Sequence, residues 1–138
     1  MAVPVPANAP DESTWQTLAA AAEEACTHAY SPYSHFAVGA ALLTGDGKVF
    51  VGCNVENASY GLAICAERNA AFSAVTGSDQ RPELSAIYIT SNPRLAAPPC
   101  GACRQVLAEF GNPLVSFLGQ EGRQIMALSD LLPIPFVP

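Results

Sequence analysis

The chain has 138 residues, of which half are hydrophobic and 13% are charged, so it is long enough to form one domain with its own core. A net charge of −6 with only six scattered Lys and Arg residues argues against a nucleic-acid partner, because binding to a phosphate backbone needs clustered positive charge. Neither a long apolar run nor a basic segment followed by an apolar one is present, so no membrane contact or secretory signal is expected. We therefore expect a cytoplasmic protein whose five cysteines serve metal binding or catalysis rather than disulfides.

Hydrophobic periodicity and turn residues divide the chain into alternating helices and strands. In chain order they predict a flexible proline-rich tail over residues 1–11, a helix over 13–29, strands at 36–44 and 48–55 joined by a glycine-containing turn, a helix at 64–75, a strand at 84–90, a helix at 101–110, strands at 114–118 and 123–128, and one helical turn at 129–132. A capping box from Ser13 to Gln16 predicts the start of the first helix. This order predicts one domain over residues 12–138 of the α/β class, a three-layer α-β-α sandwich with a five-stranded mixed sheet.

Three thiols and a carboxylate occupy two short segments of this pattern. Cys65 and Glu67 fall at the start of the second predicted helix, and Cys100 and Cys103 fall at the start of the third. Helix N-termini carry unsatisfied N–H groups and the positive end of the helix dipole, which favour the thiolate form that binds metal. Three thiolates around Zn²⁺ leave a fourth position open, which is typical of catalytic zinc sites.

The charge of such a site calls for a nearby cation. Three thiolates on Zn²⁺ leave a net charge of −1, which would weaken the ion as a Lewis acid. Arg68 and Arg104 are both candidates to offset it, and Arg68 is preferred because it lies beside Glu67 in the same first turn. Arg68 could donate to the ligand sulfurs and draw charge away from them.

Other interpretations of the cysteines remain open from the residues alone. The Cys100–Cys103 spacing also suits a redox pair or half of a structural zinc site. A structural site needs a fourth ligand, for which Cys26 or Cys53 could serve, although cysteines in an apolar helix stripe or a strand are usually small core residues. His28 and His35 are not needed as ligands and are interpreted as structural or exposed.

The motifs resemble those of the small, homotetrameric, zinc-dependent cytidine deaminases. The general zinc deaminase signature is met by Cys65-Ala-Glu67 with Pro99-Cys-Gly-Ala-Cys103. The resemblance extends over residues 12–136 through three further segments, Pro32-Tyr-Ser-His-Phe-Ala-Val-Gly-Ala-Ala-Leu42, Gly52-Cys-Asn-Val-Glu-Asn-Ala-Ser-Tyr-Gly61 and the C-terminal Leu131-Leu-Pro133 followed by Phe136. A cysteine at position 65, where the larger dimeric branch of the family uses histidine, indicates the tetrameric branch.

The resemblance implies a role for each matched residue. Cys65, Cys100 and Cys103 would bind one Zn²⁺ per subunit, with Arg68 beside them, and Glu67 would move protons from water to N3 and to the leaving amine. The residues implied to contact the nucleoside are Phe36 on the base, the Ala66 N–H on the base carbonyl, Asn54 and Glu56 on the ribose 3′-hydroxyl, Ala58 and Tyr60 near the 5′ side from a neighbouring subunit, and Phe136 from another.

The implied activity is hydrolytic deamination of cytidine and deoxycytidine to uridine and deoxyuridine, in pyrimidine nucleoside salvage. The implied partners are a small nucleoside substrate and three further copies of the chain that share active sites, with no nucleic acid or membrane; the low share of charged residues weakly supports the oligomer. Two alternatives stay open: a related deaminase with another substrate, such as an aminonucleoside or a base in RNA, and a structural zinc module without activity.

Overall fold

The protein is described by a computed structural model that covers residue 7 and residues 9–138. Most of the predicted tail therefore lies outside the described residues. The elements are α1 (Glu12–Cys26), β1 (Ala37–Thr44), β2 (Val49–Cys53), a 3-10 turn (Tyr60–Leu62), α2 (Ala66–Thr76), β3 (Leu84–Asn92), α3 (Gly101–Ala108), β4 (Leu114–Gly119), β5 (Gly122–Ala127) and α4 (Leu128–Leu131).

The five strands form one mixed sheet in the order β2-β1-β3-β4-β5. The β3–β4 pair is parallel, and the other three neighbouring pairs are antiparallel. The parallel pair requires a crossover between its strands, and α3 supplies it. The predicted fold class is therefore confirmed.

Helices cover both faces of the sheet. On one face, Trp15 and Leu18 of α1 pack against Ala41 and Ala86 of the central strands. On the other face, α2 and α3 share a larger core with the same strands, which includes Ala70. Small alanines on α2 allow it to lie close to the sheet, so the N-terminus of α2 is held rigidly at one end of β2.

Two glycines set the distances between the sheet and its helices. Gly52 of β2 lies so close to α2 that a Cβ there would sit 2.5 Å from the carbonyl oxygen of Ala66. Gly39 of β1 makes the equivalent close approach to α1, where a Cβ would sit 2.6 Å from the backbone nitrogen of Cys26. Because real Cβ atoms do not approach backbone so closely, each helix position depends on the missing side chain.

The first helix begins and ends earlier than the sequence predicts. Its N-cap is Asp11 rather than Ser13, and an Asp11 side-chain oxygen accepts a hydrogen bond from the Thr14 N–H at 2.8 Å. An aspartate accepts this bond as well as serine does and adds negative charge at the positive end of the helix dipole. The helix stops at Cys26 and not at residue 29. In residue 7 and residues 9–138, no helix has the length and apolar character needed to cross a membrane.

Candidate active site

Three cysteine sulfurs converge where α2 and α3 begin. Cys65 is the N-cap of α2, Cys100 is the N-cap of α3, and Cys103 lies in the first turn of α3. The three Sγ atoms lie within 4.8 Å of one another, and those of Cys65 and Cys100 are 3.7 Å apart. The sheet thus brings together two segments that are separated by more than thirty residues in sequence.

This cluster fits a zinc ion. Tetrahedral zinc with Zn–S bonds of about 2.3 Å places its sulfurs about 3.8 Å apart, close to the Cys65–Cys100 separation. Within residue 7 and residues 9–138, the only group of side chains placed to bind a metal ion together is Cys65, Cys100 and Cys103. Neither Cys26 nor Cys53 belongs to this group, so neither supplies a fourth ligand. Three thiols with a free fourth position favour a catalytic site over a closed structural one.

The three thiols share protons through hydrogen bonds. A hydrogen bond from the Cys103 side chain, followed by one from Arg68, lowers the pKa of Cys65 to about 5. The pKa of Cys103 is raised in turn, first by its hydrogen bond to Cys65 and then by burial. Within this hydrogen-bonded pair, the Cys65 thiol therefore ionises before the Cys103 thiol.

The two candidate arginines have different positions. Arg68 donates from Nη2 to the Cys65 sulfur at 3.5 Å, and the hydrogen bond to Cys65 raises the pKa of its guanidinium. Its Nε is buried without a hydrogen-bond partner among the described residues. Arg104 instead donates to the backbone oxygens of Pro99 and Leu131, at 2.7 and 2.8 Å. Arg68 is thus the cation at the sulfurs, while Arg104 braces the backbone around them.

Glu67 lies in the first turn of α2, two residues after Cys65. Only 5% of its surface is exposed, and burial raises the pKa of its carboxyl to about 7. A carboxyl that titrates near neutrality can both accept and release a proton at physiological pH. Its position beside the thiols suits proton transfer to and from a group held there.

A cleft of about 390 Å³ opens onto two of the three thiols, those of Cys65 and Cys100. Its wall combines a backbone loop, a strand end and two helix starts. The lining residues are Ser34, Phe36, Val38, Asn54, Glu56, Cys65, Ala66, Glu67, Ala96, Ala97, Pro98 and Cys100. The fold therefore places four of the residues matched to nucleoside contacts (Phe36, Asn54, Glu56 and Ala66) in one cavity with Cys65, Cys100 and Glu67.

Asn54 holds the loop that carries Phe36. Its side-chain amide accepts from the Val38 N–H and donates to the Phe36 carbonyl oxygen, both at 2.8 Å. One amide hydrogen and one lone pair remain, which is enough for a further hydrogen bond to a bound molecule.

Glu56 holds the same loop from the other side. Its carboxylate accepts the N–H groups of Tyr33 and Ser34 at 2.9 and 3.1 Å, together with the Ser34 hydroxyl. The Ser34 hydroxyl is the main reason why the pKa of Glu56 is lowered. Glu56 is therefore a carboxylate with lone pairs to spare at the mouth of the cleft.

Three of the residues predicted to contact the nucleoside lie outside this cleft. Ala58 and Tyr60 are exposed, and Tyr60 packs edge-on against Tyr33 beside an adjoining cavity of about 340 Å³. Phe136 is 77% exposed near the C-terminus. The cleft of a single chain therefore lacks the three residues that the resemblance assigns to neighbouring subunits.

Asn69 is one of the residues that position the site and that sequence reasoning did not identify. Asn69 of α2 donates from Nδ2 to the Cys53 carbonyl oxygen at 2.8 Å and so ties the helix to the end of β2, next to Asn54. A polar residue in the first turns of a helix is common, and no pattern in the chain distinguishes this one. Ala96, Ala97 and Pro98 also line the cleft, and no sequence motif indicates that they do.

The architecture and the thiol cluster lead to comparison with known families. The model of the cytidine and deoxycytidylate deaminase zinc-binding region matches residues 12–118, which include all three clustered cysteines. The chain belongs to this deaminase family. Its cofactor is accordingly zinc, which the three-cysteine cluster fits.

Curated relatives and solved structures agree with this assignment. The chain is 48% identical over 124 residues to the cytidine deaminase of Halalkalibacterium halodurans, covering 88% of this chain and 92% of that one. It is 43% identical over 122 residues to that of Mycobacterium tuberculosis, covering 88% and 89%. The crystal structure of cytidine deaminase from Burkholderia pseudomallei superposes with a TM-score of 0.79 at 48% identity, over 88% of this chain and 98% of that one.

Proposed function

We propose that this chain hydrolyses cytidine and deoxycytidine to uridine and deoxyuridine with release of ammonia, as a step of pyrimidine nucleoside salvage. Curated relatives named cytidine deaminase, 43% and 48% identical over most of the chain, support this activity. The observation that carries the proposal is the cleft in which Glu67 and two thiols of the three-cysteine cluster, those of Cys65 and Cys100, share one wall with Phe36, Asn54 and Glu56.

Cys65, Cys100 and Cys103 would hold the zinc ion, one per chain. When bound, the ion supplies Lewis-acid activation of water, which lowers the pKa of water from 15.7 to about 7. Arg68, with its hydrogen bond to the Cys65 sulfur, draws negative charge away from the ligand set.

Glu67 is the proton carrier of the reaction. It takes a proton from the water that adds to C4 of the base, protonates N3, and delivers a proton to the amine as the C4–N bond breaks. Its burial beside the thiols excludes bulk water, so the proton stays within the site until ammonia leaves.

The nucleoside is held by the loop and strand end opposite the thiols. Phe36 packs on the base, and the backbone N–H of Ala66 donates to the base carbonyl. The remaining hydrogen-bond capacity of Asn54 and Glu56 is directed to the ribose 3′-hydroxyl. This hydroxyl is present in both ribose and deoxyribose, which is why we propose that both nucleosides are substrates.

A Glu67→Gln substitution tests the proton carrier. It keeps the shape of the side chain and the three thiols, so we expect full zinc content with a kcat at least about 10²-fold lower, within the range of general acid–base effects. Glu109→Gln is a matched control, because Glu109 is exposed at the end of α3. A Glu67→Gln enzyme that deaminates cytidine at close to the wild-type rate would contradict the role.

The substrate class is tested by comparing free and polymeric cytosine. The acidic chain and the paired Asn54 and Glu56 favour a free nucleoside, so turnover should be high on cytidine and deoxycytidine and low on cytosine or a short cytosine-containing RNA. Removal of zinc by a chelator should abolish the ultraviolet change of deamination, and added zinc should restore it. A structural zinc module would give no deamination in either state.

We further propose a homotetramer with shared active sites. Large apolar side chains are exposed around the C-terminus and the loop before α2, and they include Tyr60, Leu62 and Phe136. Mixing inactive Glu67→Gln chains with Phe136→Ala chains should raise the activity per Phe136→Ala chain at cytidine concentrations well below KM, because some sites would then combine an intact Glu67 with an intact Phe136. No recovery in verified mixed oligomers, or a fully active monomer, would contradict shared sites.

We also propose that residues 12–138 act as a single domain in the cytoplasm. All five cysteines are free thiols, which suits a reducing compartment. Limited proteolysis should therefore leave one resistant fragment beginning near Asp11. A stable cut between two separately folded pieces would contradict the single domain.

A further inference from the structure

The last residues of the chain present apolar side chains to solvent. Ile134, Phe136 and Val137 are 88%, 77% and 72% exposed, respectively. Exposed aromatic and branched side chains in a row are unfavourable in water unless another surface covers them. The backbone of this segment is nevertheless held in a defined place by α3.

Gln105 holds Phe136 through two reciprocal hydrogen bonds. The Gln105 amide donates from Nε2 to the Phe136 carbonyl oxygen at 3.0 Å, and its Oε1 accepts the Phe136 N–H at 2.9 Å. Both backbone groups of one residue are thus paired with one side chain, which fixes the direction in which the phenyl ring leaves the backbone. Residues 133–138 make no other hydrogen bond within the described part of the chain.

Gln105 is attached directly to the metal-binding helix. It lies two residues after Cys103 on α3, and the intervening Arg104 braces the same region by donating to the Leu131 and Pro99 carbonyl oxygens. Consecutive side chains therefore tie the C-terminal segment to the helix start that carries Cys100. The position of Phe136 is set relative to the thiols of its own chain.

We propose that Gln105 is a positioning residue, which presents Phe136 in a preset orientation to close the cleft of a second copy of this chain. The inference rests on the proposed function, in which Phe136 serves a neighbouring site. Phe136 does not line the cleft of its own chain, and its ring is exposed to solvent while its backbone is held. Holding the segment within the assembled protein lowers the entropy lost when the ring packs on a bound nucleoside, so nucleoside binding is favoured.

Gln105→Met tests this role, because methionine keeps the length of the side chain and removes both hydrogen bonds. Two neutral hydrogen bonds stabilise the held segment enough to raise its population roughly tenfold. Without them we expect KM for cytidine to rise about tenfold. Phe136 contacts substrate and transition state alike, so kcat should stay within about twofold. The matched control is Gln16→Met, because the Gln16 side chain is exposed on α1, and we expect this variant to leave KM unchanged.

Further measurements separate positioning from loss of folding. Zinc content and oligomer mass should match the wild type, while hydrogen exchange of the Phe136 N–H should become faster. Gln105→Glu, which keeps the size and removes the donor, should also raise KM. Combined with Phe136→Ala, Gln105→Met should add almost nothing further, because both act through the same ring.

Each contrary result has a distinct meaning. A wild-type KM for Gln105→Met, in an enzyme whose KM rises in Phe136→Ala, would overturn the positioning role and leave the proposed function intact. An additive double mutant would also overturn it. If the wild-type protein itself fails to deaminate cytidine, the proposed function and this inference fall together.

Discussion

The close approach of β2 to α2 makes Gly52→Ala the sharpest structural test of how the site is held. A Cβ at position 52 would lie 2.5 Å from the Ala66 carbonyl oxygen and 2.9 Å from the Asn69 carbonyl carbon, and would also meet the backbone nitrogen of Ala70. All three atoms belong to the backbone of α2, so no side chain can rotate away. The helix and the edge strand β2 therefore have to separate.

The size of the effect follows from that geometry. An ordinary Cβ contact of 3.4 Å requires the start of α2 to retreat by about 0.9 Å. Overpacking of a core costs about 1–3 kcal/mol, and a backbone obstacle favours the upper end. At about 3 °C per kcal/mol for a chain of this length, the melting temperature should fall by about 9 °C.

The same movement carries Cys65 and Glu67 away from Cys100 and Cys103, which begin a different helix. Misplacement of reacting groups by about 1 Å can lower turnover about 10²-fold, so we expect a comparable loss of kcat/KM. Zinc affinity, measured by competition with a chromogenic chelator, should fall as well.

Two glycine controls separate the causes. At Gly45, in the same hairpin, a Cβ meets nothing closer than 3.8 Å, so Gly45→Ala should leave stability, zinc affinity and turnover unchanged. At Gly39 the Cβ would press on α1, 2.6 Å from the Cys26 nitrogen, so Gly39→Ala should lower the melting temperature while affecting zinc affinity less. Melting should be compared at fixed protein and zinc concentrations. A Gly52→Ala protein with wild-type melting and zinc affinity would refute the argument that this contact places α2.

Three further predictions concern the thiols, their cation and the loop. Cys100→Ser should reduce bound zinc from one per chain to near zero after dialysis, while Cys53→Ser should retain it; equal zinc in both would contradict the three-cysteine site. Arg68→Met should keep zinc and lower kcat about 10- to 100-fold, because the hydrogen bond to the Cys65 sulfur is lost, and an unchanged kcat would exclude a role for that charge. The Ser34 hydroxyl and nearby N–H groups lower the pKa of Glu56 below its ordinary 4.5, so its stabilisation is present above that pH and is lost as the pH falls through the lowered pKa. Glu56→Gln should therefore melt below the wild type at pH 7, with a difference that shrinks as the pH falls below 4.5. A difference independent of pH would indicate that the charge is not responsible.

The secondary structure could largely be predicted because local patterns determine it. Strand alternation and the glycine-containing turn place β1 and β2 to within about two residues. The start of α1 was misassigned because Asp11 and Ser13 are both good caps two residues apart, and only the hydrogen bond to Thr14 distinguishes them. Helix and strand ends depend on such single contacts, which a sequence pattern does not contain.

The candidate site could likewise be predicted only in part, from its residue types but not from its long-range hydrogen bonds. The residue types and spacing of Cys65, Glu67, Cys100 and Cys103 are compatible with a zinc site, and the resemblance to the zinc-dependent deaminases is what implies proton transfer by Glu67. The bonds that Asn54 makes to the Phe36 loop, and those of Gln105 to Phe136, could not be predicted, because they join residues 16 to 31 positions apart through backbone atoms.

By itself the sequence determined which reactive groups the chain carries near its helix starts, because thiols and a carboxylate keep their intrinsic chemistry wherever the fold places them. Only the tertiary structure decided that the two helix starts meet. That meeting depends on the order of strands in the sheet and on Gly52, which allows α2 to approach it. It also decided that the cleft of one chain lacks Tyr60 and Phe136, because the fold directs both side chains to the surface.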